Sequence, residues 1–558
     1  MENRALIALA LSFVIFMVFM YVGEKTKKTP PAPPPAATEA KPAAPPSPPL
    51  VAAAPKPLPA PAPLPTRPAK DVVVDTPLFR AVLTEQGAAL KSFQLKKFRE
   101  SLPFVQVGGF SLGPVGFELQ RYRDPAAAEA ALKELVRVAK EQDLPLSLTL
   151  EGKDLTVPAR FLYEADRHQV SLKADETATV RFTGATPQGL VITRTYKFNA
   201  KSYVFDLEVA AVNQSPQTVE GSLDLSLAAG EAADRKGLLA AFGLVNNRLE
   251  EVHPGLKAPA SFTGKVDWAV LDQGYFLMAM AAGTQPKASV TVTEPVSTFL
   301  TATLKTAKTL APGQSSQAAY TLYFGPKSMG DLAAAGVGLE RLVNFGWFDL
   351  LAKPLLHLLN FIDRLFHNYG WSLVVLTLLT RLVFWWPNHK SFKSMKEMQR
   401  LQPRVAQIRE KYKDDREAMN RELMALYRTF KVNPLGGCLP MLLQLPVFIA
   451  LYNILSYAIE LRQAAFINTL PFTDIVWLAD LSAKDPLLIT PIVMGASMVI
   501  QQRMTPSTGD PTQAKMMMFL PIIFTFLFLN FAAGLVIYWL VNNILAIIQQ
   551  YFTNKYLT

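Results

Sequence analysis

Between residues 71 and 330 apolar and polar residues alternate with period two. Tyr203, Phe205, Leu207 and Val209 are separated by Val204, Asp206 and Glu208, and Leu223, Leu225 and Leu227 by Asp224 and Ser226. Similar runs occupy Leu146–Leu150 and Val290–Thr293, with Gly, Pro and Asn between them. The pattern predicts a large antiparallel β-sandwich, with one helical insert at about Ala126–Glu141. At 343–367 the spacing becomes helical. Phe348, Leu351, Leu355, Leu358, Ile362 and Phe366 share one face, opposite Asp349, Lys353, His357, Asn360, Arg364 and His367. That stripe is too narrow for a span and predicts an amphipathic helix lying in a membrane interface.

Six segments are apolar without such alternation. Ala5–Val22 has spanning length, and Lys25, Lys27 and Lys28 follow it with no small-residue cleavage site, so residues 1–23 read as a retained anchor. Residues 24–70 form a Pro/Ala-rich tether. Segments 369–387, 435–458, 486–502, 515–531 and 533–551 predict five further spans, the last two joined tightly through Phe531–Gly534. Between the first two of these, loop 388–433 carries two helical stripes. Met395, Met398, Leu401, Val405, Ile408 and Tyr412 mark one; Met419, Leu423, Leu426, Tyr427 and Phe430 mark the other. Lys413-Asp414-Asp415 separates them, predicting a helical hairpin whose Met-containing face either packs on itself or meets partners.

Composition agrees with a membrane protein of several domains: 558 residues, 50% hydrophobic, with a net charge of +11 and a mean hydropathy of +0.18. The basic excess concentrates in 388–433, and the positive-inside rule places that loop in the cytoplasm. Counting spans from it puts the β-domain outside and both termini inside. One cysteine, Cys438, excludes an internal disulfide, and the five histidines have no ligand spacing. No phosphate loop, dinucleotide fingerprint or nucleophile elbow is present. No metal or cofactor is expected, nor direct binding of nucleic acid.

Arg381 stands out, a charge in the run Trp371–Trp386. Mid-bilayer insertion of arginine costs at least ~2.5–3.5 kcal/mol. It lies roughly 8 Å from the end of the run at 1.5 Å per residue, within reach of the headgroups by snorkelling. Span counting places Thr377, Gln444, Asn542 and Asn543 in the same cytoplasmic leaflet, while the outer halves of the spans are nearly all hydrocarbon. Polar groups at such depth normally face protein or water. The reading is a hydrophilic groove open to the cytoplasm and closed on the far side. A secondary transporter or anion channel using Arg381 predicts a polar path through both leaflets and often an internal repeat, and neither is seen. An intramembrane enzyme needs a nucleophile–base or metal-ligand set, and none is present.

Several segments are specific enough to carry a resemblance: NYGWSLVVLTLLTR (368–381), MQRLQPRVAQIREKY (398–412), KVNPLGGCLPMLLQLPVF (431–448) and DPTQAKMMMFLPIIFTF with GLVIYW (510–539). The chain resembles the bacterial YidC membrane protein insertases, in the Gram-negative form with an extra N-terminal span and a large periplasmic domain. The resemblance implies a β-supersandwich outside an α-helical membrane core of five spans (368–558). It implies an insertase and chaperone of the inner membrane, working alone or with the Sec translocon, and not an enzyme. By position Arg381 matches the groove arginine, Thr377 and Gln444 match groove-lining polar residues, and Trp477, Tyr538 and Trp539 match aromatic positions near the substrate path. The hairpin, with Met395, Met398, Tyr412, Asp414 and Asp415, and the 503–514 loop with Asp510, match regions that meet the ribosome, the signal-recognition-particle receptor and the translocon. Many relatives end in a long basic tail. The residues here end at Asn554–Thr558, so weaker ribosome anchoring is expected. Cys438 matches a family cysteine and is assigned packing.

Overall fold

The computed structural model describes residues 67–112, 115–122, 131–137, 144–152, 155–232, 237–283, 288–430, 432, 439–504 and 511–556. The expected N-terminal span, nearly all of the tether, Cys438 and Asp510 lie outside them.

The strands of the β-domain run from Asp71 to Pro326, and a further pair, Ile467–Thr469 with Val476–Leu478, lies between helices Leu439–Tyr457 and Ile489–Met504. A nine-stranded sheet has Ser315–Pro326 paired with Val204–Asn213 on one side and Phe276–Ala281 on the other. A six-stranded sheet is centred on Val219–Gly230 and Phe299–Leu310. Alternation decides which residues go inside: Tyr203, Phe205, Leu207 and Val209 are all buried, as are Leu223, Leu225 and Leu227. Fully burying one such side chain contributes ~1.5–3 kcal/mol. Strand Val266–Asp272 of the larger sheet lies against Val219–Gly230 and Phe299–Leu310 of the smaller. Trp268, Val270, Leu225 and Leu304 therefore share one core. Asp224 breaks the pattern, being buried although it alternates with the leucines. Lys305 on the neighbouring strand approaches its carboxylate to 3.0 Å and supplies the counter-charge.

A third sheet of five strands, with Phe79–Thr84 at its centre, is fastened to the nine-stranded sheet by Arg194. This side chain is fully buried. It donates to the carbonyls of Gly87 at 2.5 Å and Leu146 at 2.7 Å, and to the Tyr196 hydroxyl at 2.7 Å, which in turn donates to the Ala88 carbonyl. Gly87, Ala88 and Leu146 all have positive φ, so the guanidinium gathers carbonyls from two sharply turned segments. Burial pushes the Tyr196 hydroxyl pKa up to about 12, partly opposed by Arg194.

The expected helical insert is a correction. Among its described residues, Leu132–Glu134 is a strand paired with Leu90–Arg99. Local helix propensity is overridden by tertiary partners: Glu134 accepts from the Phe93 amide at 2.7 Å, and buried Lys133 lies 5.2 Å from the Phe276 ring centroid.

The helical region follows. Its elements are α1 (Met329–Ala334), α2 (Asp349–Phe366), α3 (Tyr369–Val383), α4 (Trp385–Lys411), α5 (Arg416–Thr429), α6 (Leu439–Tyr457), α7 (Ile489–Met504), α8 (Pro511–Phe528) and α9 (Ala533–Tyr556). The expected apolar segments fall on α3, α6, α7, α8 and α9. Among the described residues, Ala533–Thr553 in α9 is long and apolar enough to cross a bilayer by itself. The pair α3–α4 also passes when joined, but it bends by 64°. α3 alone, with 15 residues, is roughly 22 Å long, against ~30 Å of bilayer hydrocarbon. Helix α9 is the hub, touching α3, α4, α6 and α7, and α8 packs on α7.

Helix α2 departs from the expected single stripe. Ala352, Leu355, Leu356, Leu359 and Ile362 are buried, and α2 packs on α3 and α6. Leu350 is 91% exposed, and Phe361, Leu365 and Phe366 are exposed with it. The helix is apolar on two sides, and the face that packs is rotated by about one residue from the stripe read in the sequence.

The predicted hairpin forms as α4 and α5. Asp415 caps α5, its carboxylate accepting from the amides of Glu417 at 3.1 Å and Ala418 at 3.0 Å. Met395, Leu401, Val405 and Leu423 are buried, and Met398 and Tyr412 are half-buried. Helix α4 packs on α5 and also on α6 and α9, and of the second stripe Leu423 is buried while Phe430 is exposed. Asp414 and Asp415 are exposed at the turn.

Candidate functional site

One pocket opens between α3, the start of α4, α6 and α9. Its walls are Thr380, Arg381, Phe384, Asn388, Leu443, Gln444, Val447, Tyr538 and Asn542. Six of these nine are polar, an unusual share for helices otherwise built of leucine, isoleucine and phenylalanine. Its empty volume, counting space open to solvent, is about 270 Å³.

Each wall follows from local spacing. Tyr538 and Asn542 are four residues apart on α9, hence on one face, as are Leu443 and Val447 on α6 with Gln444 beside them. Thr380 and Arg381 close the last turn of α3. Asn388 follows seven residues after Arg381, beyond the bend.

Arg381 is 7% exposed. Its Nε is buried without a hydrogen-bond partner. Among the described residues no carboxylate lies within ion-pair distance of it. A buried guanidinium normally has a paired anion, because the desolvation penalty is several kcal/mol per ion. This one instead faces a polar pocket. Gln444 Nε2 points at the Tyr538 hydroxyl from 3.5 Å, a long contact that leaves both groups able to meet other partners.

The structure brings together four of the seven residues expected in the groove: Arg381, Gln444, Tyr538 and Asn542. Thr377 is buried behind the wall, and its hydroxyl donates to the Leu373 carbonyl at 2.7 Å; Thr380 takes the lining position. Trp539, about 100° further round α9, packs instead on Phe448 at 4.8 Å and Phe528 at 5.3 Å between ring centroids. Trp477 belongs to a short strand, Val476–Leu478, beyond the opposite end of α6, and does not reach the pocket. Asn543, Gln549 and Gln550 serve as clips between helices. They donate to Ser497 Oγ at 3.2 Å, the Trp385 carbonyl at 3.1 Å and the Met504 carbonyl at 2.8 Å. Asn388, Thr380 and Phe384 were missed by sequence reasoning. The seven-residue spacing of Arg381 and Asn388 gave no usable signal, because the chain bends by 64° between them.

No group of three or more His, Cys, Asp or Glu side chains among the described residues could hold a metal ion. The pocket carries one fixed positive charge, hydrogen-bonding amides and a phenol. It can attract and hydrate an anionic or polar group, and it has no activated nucleophile.

Residues 361–558 match the family model described as 60Kd inner membrane protein, and residues 115–358 match that of the YidC periplasmic domain. The "Membrane protein insertase YidC" of Geotalea daltonii is 39% identical over 494 residues, 87% of each chain. The protein of the same name from Nitratidesulfovibrio vulgaris is 41% identical over 510 residues, 90% of each. A solved structure described as an active YidC insertase with the first transmembrane domain resolved aligns over 88% of this chain and 94% of its own, at 18% identity and a TM-score of 0.36. That superposition is too loose to carry an argument. The sequence relatives suffice: the chain belongs to the YidC family of membrane protein insertases.

Proposed function

We propose that this protein inserts and folds integral membrane proteins, and that the pocket around Arg381 is where a polar segment of the substrate enters the membrane. The observation behind this reading is Arg381 itself: buried, without a carboxylate partner among the described residues, and facing a wall of amides and a phenol. In this scheme the hydrated pocket shortens the hydrocarbon path that a polar tail must cross. Arg381 supplies a transient counter-charge, whose attraction grows as the local dielectric falls. The substrate's apolar segment then leaves water for lipid beside α3 and α9, and that transfer drives the process. The membrane potential adds force on charged tails. No covalent step is assigned, so the protein is not read as an enzyme.

The accompanying topology places the β-domain, residues 71–330, in the periplasm as a sandwich. Helix α2 is the interfacial helix, within 343–367, and five membrane helices belong to 368–558, with the hairpin 388–433 and both termini in the cytoplasm. Nascent membrane proteins are the substrates. The Sec translocon, the ribosome and the signal-recognition-particle receptor are partners reached through the hairpin and the 503–514 loop. The test is reconstitution of the purified protein alone in liposomes with a small single-span substrate bearing an acidic tail. Protection of that tail from external protease, above the level in protein-free liposomes, is the expected result. Equal protection in both overturns the reading.

A further inference from the structure

Phe104–Leu112 and Val115–Tyr122 form a two-stranded antiparallel ribbon separate from the three large sheets. Its register sorts the side chains by face, since directly opposed residues in an antiparallel pair point the same way. Val105 opposes Arg121, Gly108 opposes Leu119 and Phe110 opposes Phe117 on one face. Phe104–Tyr122, Gln106–Gln120 and Gly109–Glu118 make up the other, with the register shift falling between Gln106 and Gly108.

The second, more polar face and the ribbon edge are fastened to the segment joining α6 to α7. The Glu118 carboxylate lies 3.4 Å from Lys484 Nζ, and the Glu118 amide donates to the Pro486 carbonyl at 2.7 Å. The Tyr122 hydroxyl donates to Asn468 at 3.3 Å, and Arg121 pairs with Asp474 at 3.1 Å. On the first face Arg121 is the end that is tied down, and the apolar side chains beside it are uncovered: Phe110 is 56% exposed, and Val105 and Phe117 are each 38% exposed. Isolated two-stranded ribbons are marginal in water, and exposed apolar patches mark sites of interaction. The place of attachment identifies the partner. Pro486 lies three residues before α7, whose Ile492 and Val493 are also exposed apolar residues. The bare face of the ribbon is therefore held close to the point where the chain enters an apolar, outward-facing helix.

We propose that this ribbon is a lipid-contacting foot of the β-domain, its Val105–Phe110–Phe117 face resting in the interfacial region of the outer leaflet. The proposal depends on the reading that α7 crosses the membrane. Its function is to hold the β-domain at a fixed height over the helical region, adding lipid contact to the Glu118 and Arg121 ties.

The test uses the full chain with C438S, in liposomes of phosphatidylethanolamine and phosphatidylglycerol. A nitroxide is placed in turn at F110C, V105C, Q106C on the opposite face, and V493C on α7. Accessibility to oxygen, which concentrates in lipid, is compared with accessibility to a water-soluble nickel chelate. Oxygen is expected to dominate at F110C, V105C and V493C, and nickel at Q106C. Nickel dominating at F110C and V105C, with oxygen dominating at V493C, overturns the foot and leaves the membrane reading of α7 intact. Low accessibility to both reagents at F110C and V105C means that protein covers the face, and it overturns the proposal equally. Nickel dominating at V493C removes the membrane reading itself, and the foot with it.

Discussion

Replacing Arg381 with Ala removes the fixed charge of the pocket, and the structure sets the size of the effect. Two unit charges 4 Å apart attract by ~1 kcal/mol in water and ~4 kcal/mol at an effective dielectric of 20. Arg381 is buried, but its pocket is polar and open to solvent, so the lower part of that range applies. A loss of ~1–2 kcal/mol of transition-state stabilisation per acidic residue slows entry about five- to thirty-fold. The assay is the time course of protease protection in liposomes for two single-span substrates that differ only in tail charge, acidic or neutral. The acidic substrate should slow by that factor, and the neutral one by far less. R381K keeps the charge without the planar fork and should restore most of the rate. Equal slowing of both substrates by R381A would refute charge capture and leave Arg381 a structural residue.

R194M leaves the buried carbonyls of Gly87 and Leu146 without their donor, at ~1–3 kcal/mol each. It should destabilise the β-domain by about 2–5 kcal/mol, read as faster hydrogen exchange in Leu190–Asn199; unchanged exchange would show that the staple is dispensable. Glu460, in the short turn Ile459–Leu461 after α6, has its carboxyl pKa raised above the ordinary 4.5 by burial, partly opposed by hydrogen bonds. Its stability contribution is fully present below pH 4.5 and declines as pH rises through the folded-state value. E460Q should therefore flatten thermal stability against pH above 4.5 and raise it at neutral pH, and a parallel pH profile in the variant would refute the assignment. D415A removes the cap of α5 and should cost about 1 kcal/mol. Exchange in Arg416–Thr429 should rise while α9 stays unchanged; a rise in both would mean that the hairpin is not an independent unit.

Where one face of an element is buried, the sequence is easy to read. The strands around Phe205 and Leu225 follow directly from alternation, because a one-residue slip would expose the whole apolar set. Arg381, Gln444 and Asn542 were legible for the opposite reason, as polar groups in an apolar run that need a polar surrounding. Tyr538 entered through the family resemblance, since a tyrosine in a span is unremarkable by itself. Asn388 was hidden because it lies past the bend, in a segment whose charge density reads as a loop. Helix α2 misled in phase because it is apolar on two sides, and periodicity cannot choose between two competing stripes. The strand at Leu132–Glu134 was illegible locally, since what holds it is a carboxylate bonded to the Phe93 amide some forty residues away.

The bend between α3 and α4 has a mechanical consequence. Thr380 and Arg381 lie before it and Asn388 after it, so the pocket straddles a joint, and Gln549 of α9 pins the joint through its hydrogen bond to the Trp385 carbonyl. From Trp385 to Pro403, α4 makes an arm of roughly 27 Å, with Asn388 roughly 5 Å from the pivot. Were the arm to pivot there as a rigid body, a sideways shift of about 5 Å at Pro403 would move Asn388 by about 1 Å relative to Arg381. The hairpin is then a handle on the aperture: whatever grips its far end adjusts, in reduced proportion, the width of the entrance beside the arginine.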